Sequence, residues 1–315
     1  MRSRRTFVGA LAFVVLAVAG AFAPAWITSL ATVAFANGLV VLGLVILWRA
    51  GLVPFGQALF YAVGAYTVAL IGRYTGLRDV FVLVVAGAIA AGLVAFLVGF
   101  LLARYRDIFF AMLSLAMSMI LYGVLVKTES LGSTDGFNVA SGTYLGYAPH
   151  GTAHDLALYW LVLAVCALAA LVVAIYFESI AGVLAAPVRD NEIRIEFLGL
   201  SVNRLVHLKL VIAGVLAGLG GALSALVVEH VDPNMAYWTT SGGFVFVTIL
   251  AGAGSVAAAF VGSVVFEFVR SIAVDVFPDA WQITLGTVLL LTILFLPEGL
   301  GSLFTRFSRK PGGAS

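Results

Sequence analysis

Long apolar runs dominate this sequence and limit what it can fold into. Hydrophobic residues make up 63% of the 315 residues, and charged residues make up only 10%. Most of the runs are about 17 to 25 residues long, the length at which a helix crosses roughly 30 Å of hydrocarbon. The sequence therefore predicts an all-α integral membrane protein in which residues 1–315 form a single transmembrane domain.

Ten candidate spans can be drawn along the chain. Their approximate bounds are 7–23, 26–47, 56–72, 80–102, 108–126, 157–177, 207–229, 239–253, 255–276 and 281–297. The first span follows the basic sequence RSRR and contains the Ala21-Phe22-Ala23 pattern of a signal-peptide cleavage site. We expect this span to remain in the protein as an uncleaved helix.

The distribution of basic residues orients these spans. Thirteen of the 17 Lys and Arg residues fall on one side of the membrane, and the exceptions are Arg73, Arg78, Lys127 and Arg270. Cytoplasmic loops carry the excess of Lys and Arg, so we expect both termini in the cytoplasm. The same rule places a loop at about 178–206 in the cytoplasm and a loop at about 128–156 outside.

Two of the predicted spans are short and interrupted by glycine. They read FGQALFYAVGAYTVALIG and TTSGGFVFVTILAGAGS, and each follows a crossing in its own half of the chain. Such paired segments are typical of a substrate pathway near the membrane midplane, although close helix packing alone also explains the glycines. The residues that we expect along such a pathway are Gln57, Tyr61, Tyr66, Ser114 and Ser118.

One strongly charged segment separates the apolar runs. It reads AAPVRDNEIRIEFLGLSVNRLVHLK over residues 185–209, and each of its seven ionised side chains would cost on the order of 3 kcal/mol at a helix centre in the bilayer. The segment must therefore lie outside the hydrocarbon. Pro187 and Gly199 suit the start and the end of one short helix, on which Asp190 and Arg194 would pair. The same helix would carry an apolar stripe of Ile193, Phe197 and Leu200.

Three roles are compatible with this amphipathic segment. It can be a solvated connector, a helix that lies on the lipid headgroups, or an element that docks into a groove of a soluble protein. Its mixed charge disfavours the headgroup position, because helices of that kind are usually rich in basic residues.

The sequence lacks the motifs of an ATPase or of a membrane enzyme. A phosphate-binding loop needs a lysine directly after a glycine, and none of Lys127, Lys209 and Lys310 follows one. No paired carboxylates and no nucleophile with a base stand out. Glu267 and Arg270 are three residues apart, and we expect them to form an ion pair near a helix end.

The sequence PHGTAHD contains a candidate metal site. His150 and His154 have the spacing of ligands on one helix face, with Asp155 beside them. Pro149 and Gly151 argue against a regular helix, and we expect an exposed loop there. We therefore expect no metal site.

Six segments resemble one family of transport proteins. They are GLVPFGQALFYAVGAYTVAL, FFAMLSLAMSMIL, LGSTDGF, APVRDNEIRIEFLGLSVNRLVHLKLVIAGVLAGLGGAL, TILAGAGSVAAAFVGSVVFEFV and LFLPEGLGSLF. They are similar to motifs of the permease subunit of branched-chain amino acid ABC importers, the LivM-like family. The likeness extends from about residue 37 to about residue 304, and the charged segment is its most specific part.

The resemblance implies a multi-subunit importer in the bacterial cytoplasmic (inner) membrane. Its expected partners are a homologous permease, two ABC ATPase subunits, a periplasmic or lipid-anchored substrate-binding protein and membrane lipid, with no nucleic acid. ATP and Mg²⁺ would bind to the ATPase subunits, so we expect no cofactor in this chain. The cytoplasmic loop couples ATP hydrolysis to transport in that family. The ATPase-docking residues that it implies are Arg189, Asp190, Asn191, Glu192, Arg194, Glu196 and Gly199.

The substrate stays open at this stage. The resemblance favours branched-chain or other small amino acids, but Pro54 and Ala251 depart from the family's usual Ser and Gly. A closely related branch carries urea or short amides. A stand-alone ion-coupled transporter is a further alternative, with Glu229 or Glu267 at its proton or sodium site. A membrane enzyme would need a catalytic cluster, which the sequence does not show, and loss of a measured turnover on substituting His150 and His154 would support it.

Overall fold

The apolar runs form α-helices in the computed structural model. The described residues are 13, 15–149, 151–197, 199–252, 255–276, 278, 280–295 and 299. In chain order, their helices are α1 (Ala25–Trp48), α2 (Gln57–Thr75), α3 (Val80–Leu102), α4 (Asp107–Lys127), α5 (Thr152–Glu178), α6 (Ile180–Val183), α7 (Ala185–Asp190), α8 (Glu192–Phe197), α9 (Val202–Val228), α10 (Trp238–Ala251), α11 (Val256–Val276) and α12 (Trp281–Phe295). Residues 15–22 are also helical.

Six helices are long and apolar enough to cross a membrane. Within the described part of the chain they are α1, α3, α4, α5, α9 and α11. The chain is therefore an all-α membrane protein, as its composition predicts. The expected span at 7–23 lies partly outside the described residues, and the total of ten spans stays a prediction.

Local capping explains where several helices begin and end. Gly76 follows α2 with a φ of +70°, a left-handed conformation that glycine adopts without the steric cost of a Cβ atom. The Asp79 carboxylate accepts hydrogen bonds from the backbone N–H groups of Phe81 and Val82, at 3.1 and 3.3 Å, and so caps the start of α3. The short turn between α2 and α3 thus follows directly from its sequence.

The two ends of the helix bundle differ. At one end, called here the loop end, residues 128–151 link α4 to α5, and β1 (Phe137–Asn138) pairs antiparallel with β2 (His230–Val231). At the other end, called the connector end, the charged segment over residues 179–201 links α5 to α9 through three short helices. These residues, 179–201, are called the connector below.

Helix α9 forms the centre of the bundle and packs against α1, α2 and α3. Small residues bring their backbones into close contact. A Cβ atom added at Gly64 of α2 would lie well inside 3.0 Å of the Gly218 carbonyl oxygen of α9, and one at Gly221 would meet the Tyr61 carbonyl oxygen in the same way. Membrane helices associate through such close packing because lipid tails supply no hydrophobic drive.

This packing predicts that Gly64→Ala destabilises the folded protein. The added methyl group has only backbone to push against, and overpacking of this kind costs about 1–3 kcal/mol. We expect the purified variant to melt several degrees below the wild type in detergent, when unfolding is followed by size-exclusion chromatography after heating.

Gly123→Ala on α4 is the matched control, because a Cβ atom at Gly123 meets no atom within 4 Å. We expect this variant to melt at or above the wild-type temperature, since alanine favours helix by about 1 kcal/mol over glycine. Equal melting temperatures for both variants and the wild type would contradict the proposed packing.

Candidate functional site

Helix α2 begins inside the bundle rather than at its surface. The Nε2 atom of Gln57, the first residue of α2, donates to the Ala213 carbonyl oxygen of α9 at 2.9 Å. Ala213 lies about 16 Å along α9 from the connector end, at 1.5 Å of rise per residue. The chain between α1 and α2 therefore turns back into the bundle, and α2 runs from mid-depth to the loop end.

Helix α10 also begins at mid-depth. The Ser118 hydroxyl of α4 donates to the carbonyl oxygen of Ala236, two residues before α10 begins, at 2.7 Å. Ser118 lies about 16 Å along α4 from the connector end. The two helix starts meet there, because the Ala58 N–H of α2 donates to the Ser241 hydroxyl of α10 at 2.9 Å. The side chains of Gln57, Ser114, Ser118 and Ser241 and the two helix starts are called the junction below.

Three of the five expected pathway residues lie at the junction. They are Gln57, Ser114 and Ser118, and the Ser114 hydroxyl accepts the Phe55 N–H at 3.0 Å. The Tyr61 ring lies one turn further along α2 and packs edge-on against Phe244, with centroids 5.1 Å apart. The Tyr66 ring instead packs against Phe137, toward the loop end. Ser241 completes the junction, and the sequence did not single it out.

The junction is closed and positively polarised. Its four side chains are buried, and the Gln57 Oε1 atom is buried with no hydrogen-bond partner among the described residues. The positive ends of two helix dipoles meet there, which favours a carboxylate or another electron-rich group. Gly242 is buried beside Ser241, yet a Cβ atom at Gly242 would meet nothing within 4 Å. Close packing therefore does not explain this glycine.

The connector does not form the single helix that the sequence predicts. Asn191 is extended, with φ −163° and ψ 100°, and separates α7 from α8. Its Oδ1 atom accepts the Arg194 N–H at 3.2 Å and so starts a new helix. The predicted pair of Asp190 and Arg194 on one continuous helix is therefore wrong. Gly199 follows α8 with a φ of +81°, as expected for a residue just past a helix end.

Both apolar contacts and a guanidinium group hold the connector against the bundle. Val188 and Ile195 are buried in a cluster with residues at the connector ends of α1, α3, α4 and α9. Arg106, between α3 and α4, forms an ion pair with Glu192 of α8 through its Nε atom. Its NH2 group donates to the Asn203 side chain of α9 at 3.0 Å. The Arg106 side chain thus links the connector and the first turn of α9 to the segment between α3 and α4.

A buried lysine holds the start of the connector. Lys209 of α9 is only 1% exposed, and its Nζ atom donates to the Ala181 carbonyl oxygen at 2.7 Å and to the Tyr176 hydroxyl at 3.1 Å. Nearby, the Arg49 guanidinium lies 3.8 Å from the centre of the Phe177 ring. Burial lowers the pKa of Arg49 from its ordinary value. These contacts of Arg49 and Lys209 were not predicted from the sequence.

Helix α8 of the connector exposes two apolar side chains among polar ones. Ile193 is 64% exposed and Phe197 is 87% exposed. Charged residues surround them, and the exposed ones are Arg189, Asp190, Arg194 and Glu196. Glu192 differs from these four, because its carboxylate is bound to Arg106. Two residues of the expected apolar stripe, Ile193 and Phe197, therefore lie exposed on α8, whereas Leu200 lies beyond the end of this helix.

The sequence also singled out ionisable residues as a possible ion pair and a possible metal site. Arg270 lies 3.5 Å from Glu267, which confirms the expected ion pair, and Asn37 also donates to Glu267 at 2.8 Å. No group of three or more His, Cys, Asp and Glu in the described part of the chain is placed to hold a metal ion. His150 lies outside that part. His154 is buried in the first turn of α5, so the expectation of an exposed irregular loop there is wrong.

The sequence of this chain matches one family over most of its length. The family is described as the permease component of the branched-chain amino acid transport system, and residues 26–294 match it. The chain is 28% identical over 314 residues to the high-affinity branched-chain amino acid transport system permease protein LivM of Escherichia coli (strain K12), covering 92% of this chain and 73% of that protein. It is also 28% identical to the protein of the same name from Salmonella typhimurium (strain LT2), covering 83% and 67%. No solved structure matches the chain significantly.

The match and the helices together define the class of this protein. Permeases of this family are transporter components rather than enzymes, and they work with ATPase and substrate-binding components. The apolar helices α1, α3, α4, α5, α9 and α11 make the chain a multi-pass inner-membrane protein. The chain belongs to the family of permease components of branched-chain amino acid ABC transport systems.

Proposed function

We propose that this chain imports branched-chain or other small amino acids as one of two homologous permeases, driven by ATP that separate subunits hydrolyse. The two LivM relatives are named as permeases of high-affinity branched-chain amino acid transport. The observation that carries the proposal is the meeting of the starts of α2 and α10 at mid-depth. Helices interrupted at this depth surround the substrate path in many transporters built from repeats.

The junction is the proposed narrow point of the substrate path. Gln57, Ser114 and Ser118 supply polar groups there, and Tyr61 and Tyr66 continue the path along α2 toward the loop end. Two helix N-termini would attract the carboxylate of an amino acid. The open space beside Gly242 gives the substrate room once the helices separate.

The connector is the proposed docking site for an ATPase subunit. Exposed Ile193 and Phe197 supply apolar anchors, because apolar side chains on a water-facing loop are typical of an interaction surface. Mixed charges around them favour a protein partner over an anionic lipid surface. The proposed docking residues remain Arg189, Asp190, Asn191, Glu192, Arg194, Glu196 and Gly199. Among these, Glu192 and Asn191 also stabilise the conformation of the connector.

The proposed topology has the connector end in the cytoplasm and the loop end outside. Most of the described basic residues support it, because they lie at the connector end, whereas Arg73, Arg78 and Lys127 lie at the loop end. We extend the proposal to about ten spans, both termini in the cytoplasm and one permease domain over residues 1–315. Its partners are a homologous permease, two ATPase subunits that bind ATP and Mg²⁺, and a periplasmic or lipid-anchored binding protein.

Two alternative functions predict different experimental results. A permease for urea or short amides would use the same junction, and competition of amides against leucine uptake would reveal it. A stand-alone ion-coupled transporter needs a free intramembrane carboxylate, but Glu267 is bound to Asn37 and Arg270. Uptake that continued without ATP and stopped on collapse of the ion gradient would replace the present proposal.

The connector proposal predicts that the double variant Ile193→Asp, Phe197→Asp loses the ATPase. Two buried carboxylates in the docked interface would cost several kcal/mol, so the affinity should fall at least about a hundredfold. We expect the tagged variant to purify from its native membrane with the second permease but without the ATPase, as judged by mass spectrometry.

Leu145→Asp is the matched control, because Leu145 is an 84% exposed apolar residue at the loop end. This variant should co-purify with the ATPase, as the wild type does. Retention of the ATPase by the double variant would rule out the exposed apolar face as the docking surface.

The junction proposal predicts that Gly242→Val blocks transport without unfolding the protein. The valine side chain enters open space beside the junction, so it occupies the proposed path without pressing on a neighbour. We expect ATP-driven leucine uptake in liposomes to fall at least about tenfold, with wild-type expression and melting temperature. Gly123→Val, which also enters open space but on α4 away from the junction, should transport normally. Full uptake by Gly242→Val would place the path elsewhere.

A further inference from the structure

A second polar site lies at the loop end, far from the junction and the connector. A cavity of about 560 Å³ opens there between the start of α5, the end of α9 and the irregular residues 141–149. This volume lies within the range of roughly 300–1,000 Å³ that is typical of small-molecule sites. Arg78, His154 and Glu229 are among its lining residues.

The two helix ends give the cavity opposite polarity at its two sides. Helix α5 contributes its N-terminus, through Gly151 and His154, where the helix dipole is positive. Helix α9 contributes its C-terminus, through Val228 and Glu229, where the dipole is negative. Arg78 adds a positive side chain to the lining and Glu229 a negative one. The cavity therefore suits a ligand that carries both charges.

His154 forms part of the wall of this cavity. The side chain is only 7% exposed, lines the cavity, and has no hydrogen-bond partner for either ring nitrogen among the described residues. Its ring lies edge-on to Tyr144, whose buried hydroxyl is also without a partner there. A buried imidazole normally uses both nitrogens, one as a donor and one as an acceptor. Both ring nitrogens are enclosed by protein, so the ring closes the cavity wall without presenting a polar atom to it.

Glu229 is held in place at the opposite side. It adopts a φ of +54° as the residue that ends α9, where a left-handed conformation is common. The Ser141 hydroxyl donates to its carboxylate at 2.6 Å, and the Val139 N–H donates to its carbonyl oxygen at 2.8 Å. These contacts fix the carboxylate at the cavity wall and leave its second oxygen available to a ligand.

The lining also includes aliphatic side chains and Asp155. Leu158, Leu226 and Val227 supply an aliphatic surface between the charged groups. Asp155 lies in the first turn of α5, where a carboxylate stabilises the helix dipole. Its charge acts together with burial, the larger cause, to raise the pKa of Tyr144 above its usual range.

We propose that this cavity binds one free α-amino acid with an aliphatic side chain. The ligand carboxylate interacts with Arg78, its ammonium group interacts with Glu229, and its side chain packs on Leu158 and Leu226. The inference rests on the proposed function, in which the loop end faces the compartment that supplies the substrate. The cavity is then an entry site that receives the amino acid before it reaches the junction.

Binding of three related ligands tests this assignment in the full assembled transporter, held in nanodiscs without its binding protein. The probes are radiolabelled leucine, leucinamide, which lacks the carboxylate, and 4-methylpentanoate, which lacks the ammonium group. We expect the wild type to prefer leucine over both. Arg78→Gln should lose about tenfold in leucine affinity and lose its preference over leucinamide. Glu229→Gln should lose a similar factor and its preference over 4-methylpentanoate.

Arg73→Gln and Glu129→Gln are matched controls at the same end of the bundle, outside the cavity lining. They should bind all three probes as the wild type does. An equal loss of all three probes in the Arg78 and Glu229 variants would indicate a structural defect and overturn the proposal. Leucine binding that is absent in the wild type, or unchanged in both variants, would overturn it as well.

ATP-driven leucine uptake by the wild-type complex, with its binding protein present, separates this inference from the proposed function. A wild type that takes up leucine while its variants bind all probes normally refutes the cavity assignment alone. A wild type that takes up no amino acid refutes the proposed function, and the cavity assignment fails with it.

Discussion

Backbone amides inside a membrane must find partners within the protein, and this requirement shapes the middle of the bundle. The first amides of a helix have no partner in that helix, and α2 and α10 both begin where water is scarce. Two serine hydroxyls meet this need around the start of α2: Ser114 accepts from Phe55, just before the helix, and Ser241 of α10 accepts from Ala58. Side-chain hydroxyls rather than continuous helix therefore hold the junction together. Such bonds can exchange for bonds to a substrate, which a continuous helix could not offer.

Helix α9 connects the junction to the connector. Lys209 of α9 binds the Ala181 carbonyl group of the connector, and the Ala213 carbonyl group one turn further binds Gln57 at the junction. The glycines of α9 bring its backbone against those of α2 and α3, so α9 cannot shift past either neighbour by small side-chain adjustments. A displacement of the connector must then move α9 together with its neighbours. Arg106 adds a second attachment, through Glu192, to the segment between α3 and α4.

The sequence predicts the helices well because apolar length is a local signal. For each expected span that falls within the described residues, the observed helix begins and ends within about five residues of the predicted bounds. The largest errors are at the starts of α5 and α9, where polar first turns with His154 and Asn203 extend the helices beyond the apolar runs. The break at Asn191 was missed because its cause is one side-chain bond to Arg194. The buried contacts of Lys209 could have been expected from the sequence, because a lysine within an apolar helix needs a buried partner.

Contacts between distant segments were beyond the reach of sequence patterns. Arg106 and Glu192 are separated by 86 residues, and no spacing rule pairs them. The cavity at the loop end likewise depends on how the start of α5 meets the end of α9, which no motif encodes. Both features lie at helix ends, where unpaired backbone groups and dipoles concentrate charge. Because α9 reaches the connector, the junction and the cavity in turn, one rigid helix places all three polar sites in a fixed order along the proposed path.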